Sequence, residues 1–306
     1  MKLLLRKYLP AVAAVFLTLV AGMHVFPEDI ASKQDESNKT VIRINTSFGK
    51  EYLSYTERES ETKTESFSTT VNQVIKYDVL LDWNYPVIGV KGVKPVTIEE
   101  SSEEWDSLGF KNYQKNDLKH TWNRNDFYIG YSFFHPPQNL FYTFYTGLRQ
   151  SEIKHERNNF IILGIPQTNA RSIEKIRSTG WLFGIRGNGY LKKSLGDYEY
   201  MDPKDEPPVK WGWGWGLEAV APLTMKLTNS TIPGVTFNER GGYIFEFNST
   251  LSYYLVSRKI SIDANGYIGN LYWKGSDWED TTFGRTKWPK NNTSYFGLTV
   301  GLNFKF

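Results

Sequence analysis

Four histidines are the first candidates for acid–base or metal chemistry in this chain: His24, His120, His135 and His155. His135 stands in a short turn beside two prolines, and His120 follows Asp117 in a polar segment. Glu152 and His155 are three positions apart, which in a strand places their side chains on opposite faces. A metal site needs ligands that converge on one point. The sequence therefore predicts no metal site, no cofactor and no catalytic histidine.

A second group consists of charged residues that fall on the polar face of alternating segments. These residues would line the interior of a closed sheet: Lys76, Asp78, Asp82, Arg149, Arg186, Glu218, Glu246 and Asp263. Because both signs are present, they predict salt bridges and bound water instead of a ring of one charge. Two alternatives stay open: a lumen sealed by paired charges, and a narrow pore whose charges select small solutes.

Period-two alternation of apolar and polar residues runs through the chain from about Val41, and it is the signature of strands. It is clearest in the last segment, whose apolar face consists of Phe296, Leu298, Val300, Leu302, Phe304 and Phe306. No long segment has a convincing helical period. The connections alternate between short turns, such as 84–86, 135–139 and 256–259, and long polar stretches. The long stretches are 57–69, 99–123, 156–170 and 274–292.

The N-terminal residues differ from the rest of the chain. The chain has 306 residues with 36 Lys+Arg, 33 Asp+Glu and a net charge of +3. Residues 1–22 hold Lys2, Arg6 and Lys7 and no acid, so 33 basic and 33 acidic residues remain without them. The apolar run 11–22 is shorter than the roughly 20 residues of a membrane-spanning helix. We interpret 1–22 as a cleaved signal peptide, 23–40 as a polar periplasmic leader and 41–306 as the folded domain.

Composition excludes several classes of protein. The chain has no Cys, which excludes disulfide scaffolds, thiolate metal sites and cysteine nucleophiles. Its aromatic content of 16% is too high for a disordered chain. No basic patch for nucleic acid remains without the first 22 residues.

Four features together make the chain resemble a Gram-negative outer-membrane β-barrel. They are the signal peptide, the alternating strands, the aromatics beside the short turns and the final strand FGLTVGLNFKF. The resemblance implies an all-β, antiparallel up-and-down transmembrane barrel with long external loops, located in the outer membrane. It also implies that the last strand, with its terminal aromatic, is the signal read by the barrel-assembly machinery. The expected partners are outer-membrane lipid and lipopolysaccharide, the assembly machinery and periplasmic chaperones, with a small solute or a surface ligand.

The expected number of strands is twelve. The doubtful region is 187–241, and the number falls to ten if 211–226 is a folded external loop instead of a pair of strands. An even number follows if both termini lie on the same side of the membrane. In this region the run Trp211-Gly-Trp-Gly-Trp-Gly216 has strand period. We expect its tryptophans to meet lipid, whereas its glycines leave room in the lumen for a bulky neighbour. The alternative is a tryptophan-lined slide for a sugar or an apolar ligand.

Omptin proteases are ten-stranded outer-membrane barrels of similar length, and the chain resembles them weakly at the level of architecture. Their chemistry uses an acidic pair and an Asp-x-His dyad at the barrel mouth. Glu104 and Asp106 are similar to the acidic pair, but no Asp-x-His occurs, and 201–208 offers only Asp202 and Asp205. A non-enzymatic barrel is therefore the main prediction, either a small-solute pore or a structural, surface-binding barrel. The surface-binding form would use loops that carry Trp105, Trp122, Trp278 and Trp288.

Overall fold

The computed structural model describes residues 40–306 except 60–63, 84, 108, 136–139, 192–210, 239–240, 257–258 and 283. The predicted signal peptide 1–22, the leader up to residue 39 and His24 lie outside the described residues, as do Asp202 and Asp205. None of the described residues forms a helix long and apolar enough to span a bilayer.

Fifteen strands account for most of the described residues. In chain order they are β1 (Val41–Glu59), β2 (Thr64–Asp82), β3 (Pro86–Ile98), β4 (Ser101–Ser107), β5 (Phe110–His135), β6 (Leu140–Ile162), β7 (Ile165–Pro166), β8 (Ser172–Leu191), β9 (Trp211–Asn229), β10 (Phe237–Asn238), β11 (Gly242–Val256), β12 (Ile260–Trp273), β13 (Glu279–Thr281), β14 (Gly284–Thr286) and β15 (Lys290–Lys305).

Ten of these strands pair in a closed antiparallel ring. Its order is β1-β2-β3-β5-β6-β8-β9-β11-β12-β15, and β15 pairs back to β1. The closing pair is in continuous register from Arg43 opposite Lys305 to Arg58 opposite Lys290. Because closure leaves no open sheet edge, the chain forms an up-and-down barrel, as the alternation predicts.

Several segments predicted to be external loops are largely strand. β1 reaches Glu59 and β2 begins at Thr64, so 57–59 and 64–69 of the segment 57–69 are strand. In 99–123, the short strand β4 takes the place of β3 between β2 and β5, and β5 begins at Phe110. The barrel wall therefore continues beyond the point where the outward residues stop being apolar.

The predicted count of twelve strands is corrected to ten. The region 172–191 is one strand, and Trp211–Asn229 is another, although Pro222 and several glycines lie in these segments. Pro222 does not end β9 because the register shifts there: Gly180 faces Pro222, while Thr179 faces Thr224. Such a bulge is where a strand tolerates proline.

The outer face of the ring carries an apolar band at the end where the short turns lie. In β15 and β12 its exposed members are Leu298, Val300, Leu302 and Ile268. Aromatic residues border the band near the turns: Trp83, Tyr85, Tyr131, Phe133, Tyr142, Trp211, Tyr253 and Phe306. Tyr85 stacks on Tyr131 with ring centres 5.4 Å apart. The predicted aromatic row beside the short turns is therefore present.

The amphipathic pattern inverts along the long strands β5 and β9. In the lower part of β5, Phe127 and Ile129 are exposed on the outer face, whereas higher up Leu118 and Trp122 are fully buried inside. In β9, Leu217 points outward, and beyond the bulge Met225 and Leu227 point inward. In this part of β5 and β9, apolar side chains turn inward, as they do in a water-soluble barrel.

Glycines on the inner face make room for large side chains. A Cβ at Gly184 would lie 2.2 Å from the Tyr145 ring, whereas a Cβ at Gly266, which is on the outer face of β12, would meet nothing closer than 3.5 Å. We expect Gly184→Ala to lower the unfolding free energy by about 1–3 kcal/mol through overpacking, and Gly266→Ala to be tolerated. Denaturant titration of the folded barrel in detergent measures both variants, and equal stability of the two would contradict this packing.

Candidate functional site: the filled interior of the barrel

All eight charged residues predicted to line the lumen lie on the inner face of the wall. Asp82 binds Arg43 at 2.9 Å, and Asp263 accepts hydrogen bonds from Asn45 and Ser261, each at 2.7 Å. Glu246 accepts a hydrogen bond of 2.8 Å from the Tyr295 hydroxyl. The Lys76 ammonium lies 5.0 Å from the centre of the Tyr267 ring. The other four, Asp78, Arg149, Arg186 and Glu218, bind partners across the lumen.

The centre of the interior is a network of four buried charges: Lys91, Asp126, Arg149 and Glu218. Arg149 donates to both oxygens of Asp126 at 2.7 Å, and its Nη2 also donates to Glu218 Oε2 at 2.7 Å. Lys91 forms an ion pair with Glu218 and lies 3.8 Å from Asp126. The Tyr145 hydroxyl donates to Glu218 at 2.8 Å. We call these four charges the cross-lumen network.

Two further groups of contacts adjoin the cross-lumen network. Asp78 accepts a 2.8 Å hydrogen bond from the Tyr128 hydroxyl and pairs with Arg186 at 3.3 Å. Arg124 forms a buried ion pair with Glu51. Its guanidinium also lies over the rings of Trp122, Tyr295 and Tyr267, at 4.1, 4.8 and 5.7 Å from the ring centres.

These contacts span the width of the ring. Lys91 is on β3 and Glu218 on β9, with three strands between them on the shorter way round. Arg124 on β5 and Tyr267 on β12 belong to strands on opposite sides of the ring, with four strands between them in either direction. Side chains that touch across the whole lumen leave no wide channel at this level, as expected for small barrels filled by side chains.

Above this level the interior is first apolar and then charged again. The apolar layer contains fully buried side chains from most of the ring: Leu53, Trp122, Ile153, Ile176, Leu227 and Leu271. Beyond it lie Glu57, Glu103, His120, His155, Arg157 and Glu174, which we call the upper cluster. It stands above the apolar band, because the outward neighbours at this height include Lys119, Lys154 and Lys175.

Arg157 is the centre of the upper cluster. It donates to Glu103 at 2.6 and 3.2 Å and to Glu174 at 3.1 Å, and it lies 3.6 Å from Glu57. His155 Nδ1 is 3.0 Å from Glu174 Oε1. One guanidinium therefore faces three carboxylates, which leaves Glu57 the least compensated of the three.

Protonation preferences in the upper cluster follow from this geometry. Burial, together with the charge of Glu174, raises the pKa of Glu57 well above its usual range. Burial also acts on Glu103, but the Arg157 guanidinium outweighs it and holds the pKa of Glu103 below the usual range. Burial and the neighbouring His155 lower the pKa of His120 well below 6.5. The cluster is thus built to hold a neutral His120 and a readily protonated Glu57.

The residues considered for hydrolytic chemistry do not converge. Glu104 pairs with Lys115 at 3.0 Å on the outer face, and Asp106 accepts a hydrogen bond from the Asn112 backbone N–H on the same face. His120 and His155 are on the inner face and fully buried. The barrel wall separates the acids from the imidazoles, and Glu152 and His155 lie on opposite faces as predicted. Within the described ranges no group of three or more His, Asp or Glu side chains is arranged to hold a metal ion.

The tryptophans divide into two sets. Trp211, Trp213 and Trp215 lie on the outer face, and the intervening glycines lie inside, where a Cβ would meet Asn188 at Gly214 and Asn248 at Gly216. The tryptophans expected on binding loops are mostly interior. Trp122 is fully buried, Trp105 faces Arg157, and Trp288 packs against Phe237. Trp278 is exposed, with the Lys287 ammonium 4.8 Å from its ring centre.

The alternation did not predict most of the interior contacts. Lys91, Asp126 and Arg124 are central to the lumen, yet their segments contain glycines or charges on both faces. The sequence did contain one signal. Arg124, Asp126 and Tyr128 occupy every second position and so share one face of the strand, while the other face carries the apolar Phe127 and Ile129. The partners across the lumen carry no local sequence signal.

Comparison with known proteins gives similarity to solved structures only. No family model and no curated protein matches the chain. The translocator domain of the autotransporter NalP from Neisseria meningitidis is 10% identical, with 96% of this chain and 98% of that chain covered and a TM-score of 0.31. The outer membrane protein OprG from Pseudomonas aeruginosa is 8% identical, with coverage of 88% and 97% and a TM-score of 0.36. The transport unit of the autotransporter AIDA-I from Escherichia coli is 9% identical, with coverage of 94% and 96% and a TM-score of 0.35. Likeness at this level carries no functional conclusion.

The cross-lumen network makes a prediction about stability. Glu218→Gln removes the carboxylate that Lys91 and Arg149 share, and breaking a buried pair of this kind costs about 3–5 kcal/mol. The double variant Lys91→Met/Glu218→Met should be more stable than Glu218→Gln because it also removes the Lys91 charge that has lost Glu218, while Arg149 keeps Asp126 in both variants. Glu152→Gln, in an outer-face pair with Arg177, should cost at most about 1 kcal/mol. Denaturant titration of the four proteins measures these differences, and a harmless Glu218→Gln would contradict the network.

The upper cluster predicts two opposite responses to pH. Because the pKa of Glu57 is raised in the folded protein, this residue stabilises the fold below pH 4.5, the usual pKa of a glutamate in an unfolded chain. That stabilisation is lost as the pH rises through the folded pKa. Glu57→Gln stays neutral, so its stability advantage over the parent should grow as the pH rises above 4.5. The lowered pKa of Glu103 gives the reverse: Glu103→Gln should be less stable at neutral pH and approach the parent in acid.

Unfolding temperatures of the three proteins between acid and neutral pH measure this contrast. Glu57→Gln and Glu103→Gln remove the same charge from the same cluster, so each is the control for the other. If the unfolding temperature of both variants, relative to the parent, changed in the same direction with pH, the assigned protonation states would be contradicted.

Proposed function

We propose that the chain is a closed, non-conducting outer-membrane barrel that has a structural or surface role and no enzymatic activity. The observation that carries this proposal is direct contact across the lumen, above all between Lys91 and Glu218 and between Arg124 and Tyr267. Of the two lumen alternatives, these contacts support the sealed one over the small-solute pore.

Residence in the outer membrane is supported by the outer face. The apolar band, with its aromatic border, is the surface that a barrel presents to hydrocarbon and headgroups. A bilayer-spanning strand needs about 9–11 residues, and β5 and β6 are 26 and 23 residues long. The excess forms the polar upper wall, which in this proposal projects outward from the cell. The short turns and the described chain ends then face the periplasm, in keeping with a cleaved signal peptide.

Assembly partners follow from the same proposal. The outward residues of β15, including Phe296 and Val300, form one exposed apolar row that Phe306 continues just after the strand, and we propose this terminal segment as the assembly signal. The barrel-assembly machinery and periplasmic chaperones would then act on the unfolded chain.

A surface ligand would bind at the upper end of the barrel. The exposed aromatics there include Phe110, at the start of β5, and Trp278, in the connection between β12 and β15 that also holds the β13–β14 hairpin. An omptin-like hydrolase is less well supported, because Glu104 and Asp106 lie on the outer face of the wall and the buried histidines on the inner face.

A sealed lumen predicts that the folded protein conducts no ions. Purified protein folded into vesicles should migrate differently on gels before and after boiling, because folded barrels resist dissociation until they are heated. The same sample should give no discrete conductance steps in planar bilayers across many insertions, while a general porin measured in parallel does. Regular steps from the heat-modifiable protein would overturn the closed-barrel proposal and favour the pore.

A further inference from the structure

A row of five side chains crosses the inner face of the wall near the upper end of the barrel. We call it the polar row, and its members are Trp273 on β12, Asn291 on β15, Glu57 on β1, Ser66 on β2 and Trp105 on β4. Each member is directly opposite the next in the sheet. Trp273 is the last residue of β12 and Asn291 is the second of β15, so the row lies beside the upper ends of these strands.

Every member of the polar row has a buried polar atom without a hydrogen-bond partner among the described residues. These atoms are the indole Nε1 of Trp273 and of Trp105, both amide atoms of Asn291, Oε1 of Glu57 and Oγ of Ser66. One step lower on β15 and β2, the buried hydroxyls of Thr293 and Ser68 also lack a partner within the described ranges. Buried polar groups are normally paired with protein, water or ligand because an unpaired one is costly. Such atoms at one height on five adjacent strands point to a bound molecule.

The unpaired atoms indicate the chemistry of that molecule. The indole N–H groups can only donate, Glu57 accepts as a carboxylate, and the Asn291 amide and the hydroxyls do both. An anion would face the charge of Glu57, and a metal ion or an ammonium group would leave the indoles unpaired. Glu57 already lies 3.6 Å from the Arg157 guanidinium, so the row does not require a cation. A neutral molecule with several hydroxyl groups both donates and accepts, and it therefore matches the whole set.

Aromatic rings at the two ends of the polar row favour a carbohydrate among such molecules. The C–H groups on the face of a pyranose ring pack against aromatic rings, and ligand sites combine aromatic side chains with a few convergent polar groups. Trp288, two residues before β15, adds a third indole, and its buried Nε1 also lacks a partner in the part of the chain that the structure describes. Trp288 is only partly buried and packs against Phe237, with ring centres 5.5 Å apart.

We propose that the upper interior binds a neutral carbohydrate along the polar row, with its hydroxyl groups bonded to Asn291, Glu57 and Ser66 and with Ser68 and Thr293 beneath it. This inference rests on the proposed surface role and adds a site and a ligand class to it. The row is buried, so binding requires nearby side chains such as Trp288 to move apart. The cross-lumen network lies below the site, so the carbohydrate is bound and not transported.

The test measures carbohydrate binding by the folded protein in a detergent without a sugar headgroup. Heat-modifiable protein is applied to an array of neutral, acidic and amino-sugar glycans, and the neutral glycan with the strongest signal is titrated by calorimetry. We expect Ser66→Ala/Ser68→Ala to bind it roughly 25-fold more weakly, about fivefold per hydroxyl. Because these hydroxyls have no partner within the described chain, the same variant should unfold at the temperature of the parent or above it.

The control variant removes two buried hydroxyls that do have partners. Ser47 donates to Thr299 at 2.9 Å, and Ser132 shares a hydrogen bond of 2.8 Å with Thr143. Ser47→Ala/Ser132→Ala should lower the unfolding temperature and keep the glycan affinity of the parent.

Three outcomes would overturn the carbohydrate site: equal affinity of the two double variants, a preference for acidic or amino sugars, or no binding to any neutral glycan. In the last case water satisfies the polar row. If the protein is heat-modifiable and conducts no ions but binds no glycan, the site alone is refuted. Conductance steps from protein that does bind the glycan would refute the closed barrel alone.

Discussion

The structure depends on a change of surroundings partway along the longest strands of the barrel, such as β5 and β9. In the lower part the outer face carries Phe, Ile, Val and Trp, which suits hydrocarbon, and the interior can hold charges because they pair with one another. In the upper part the outer face is polar, so the apolar side chains turn inward, as Leu118, Trp122 and Leu227 do. One continuous wall thus suits both hydrocarbon and water. The strands can continue from one to the other because ring closure pairs the backbone N–H and C=O groups of the sheet edges.

The interior is specified by charge pairing at two levels, the cross-lumen network and the upper cluster, and by apolar packing between them. Arg149 and Glu218 are buried, and isolated charges at such depth would be costly. Each has charged partners on other strands, so the network links the wall across its width as well as around its circumference. Buried ion pairs contribute little net stability relative to an apolar core, but they make wrong pairings expensive. This arrangement favours one ring register and one inward face.

The amount that could be predicted from the sequence differs between the wall and its contents. Alternation in 296–306 and in 127–133 is local, so strand type, outward face and barrel class followed from it. The height of the wall could not be predicted in this way. The segment 99–123 is rich in charge, so it looks like a loop if the whole outer face of the barrel is expected to be apolar. Pro222 looked like a strand end because a bulge depends on the partner strand. The cross-lumen pairs, such as Lys91 with Glu218, join residues far apart in sequence and depend on the ring order, which no short segment encodes.

Closure of the ring by β1 and β15 has a consequence for the order of folding. These two strands are the first and the last of the ring in the chain, and they share a long continuous register. Until β15 is present, β1 and β12 each keep an unpaired edge, and such edges invite pairing with other chains. Contacts this distant in sequence form slowly because the whole intervening chain must be ordered first. The protein is therefore most vulnerable to misassociation during the interval between translation of its first strand and closure by its last.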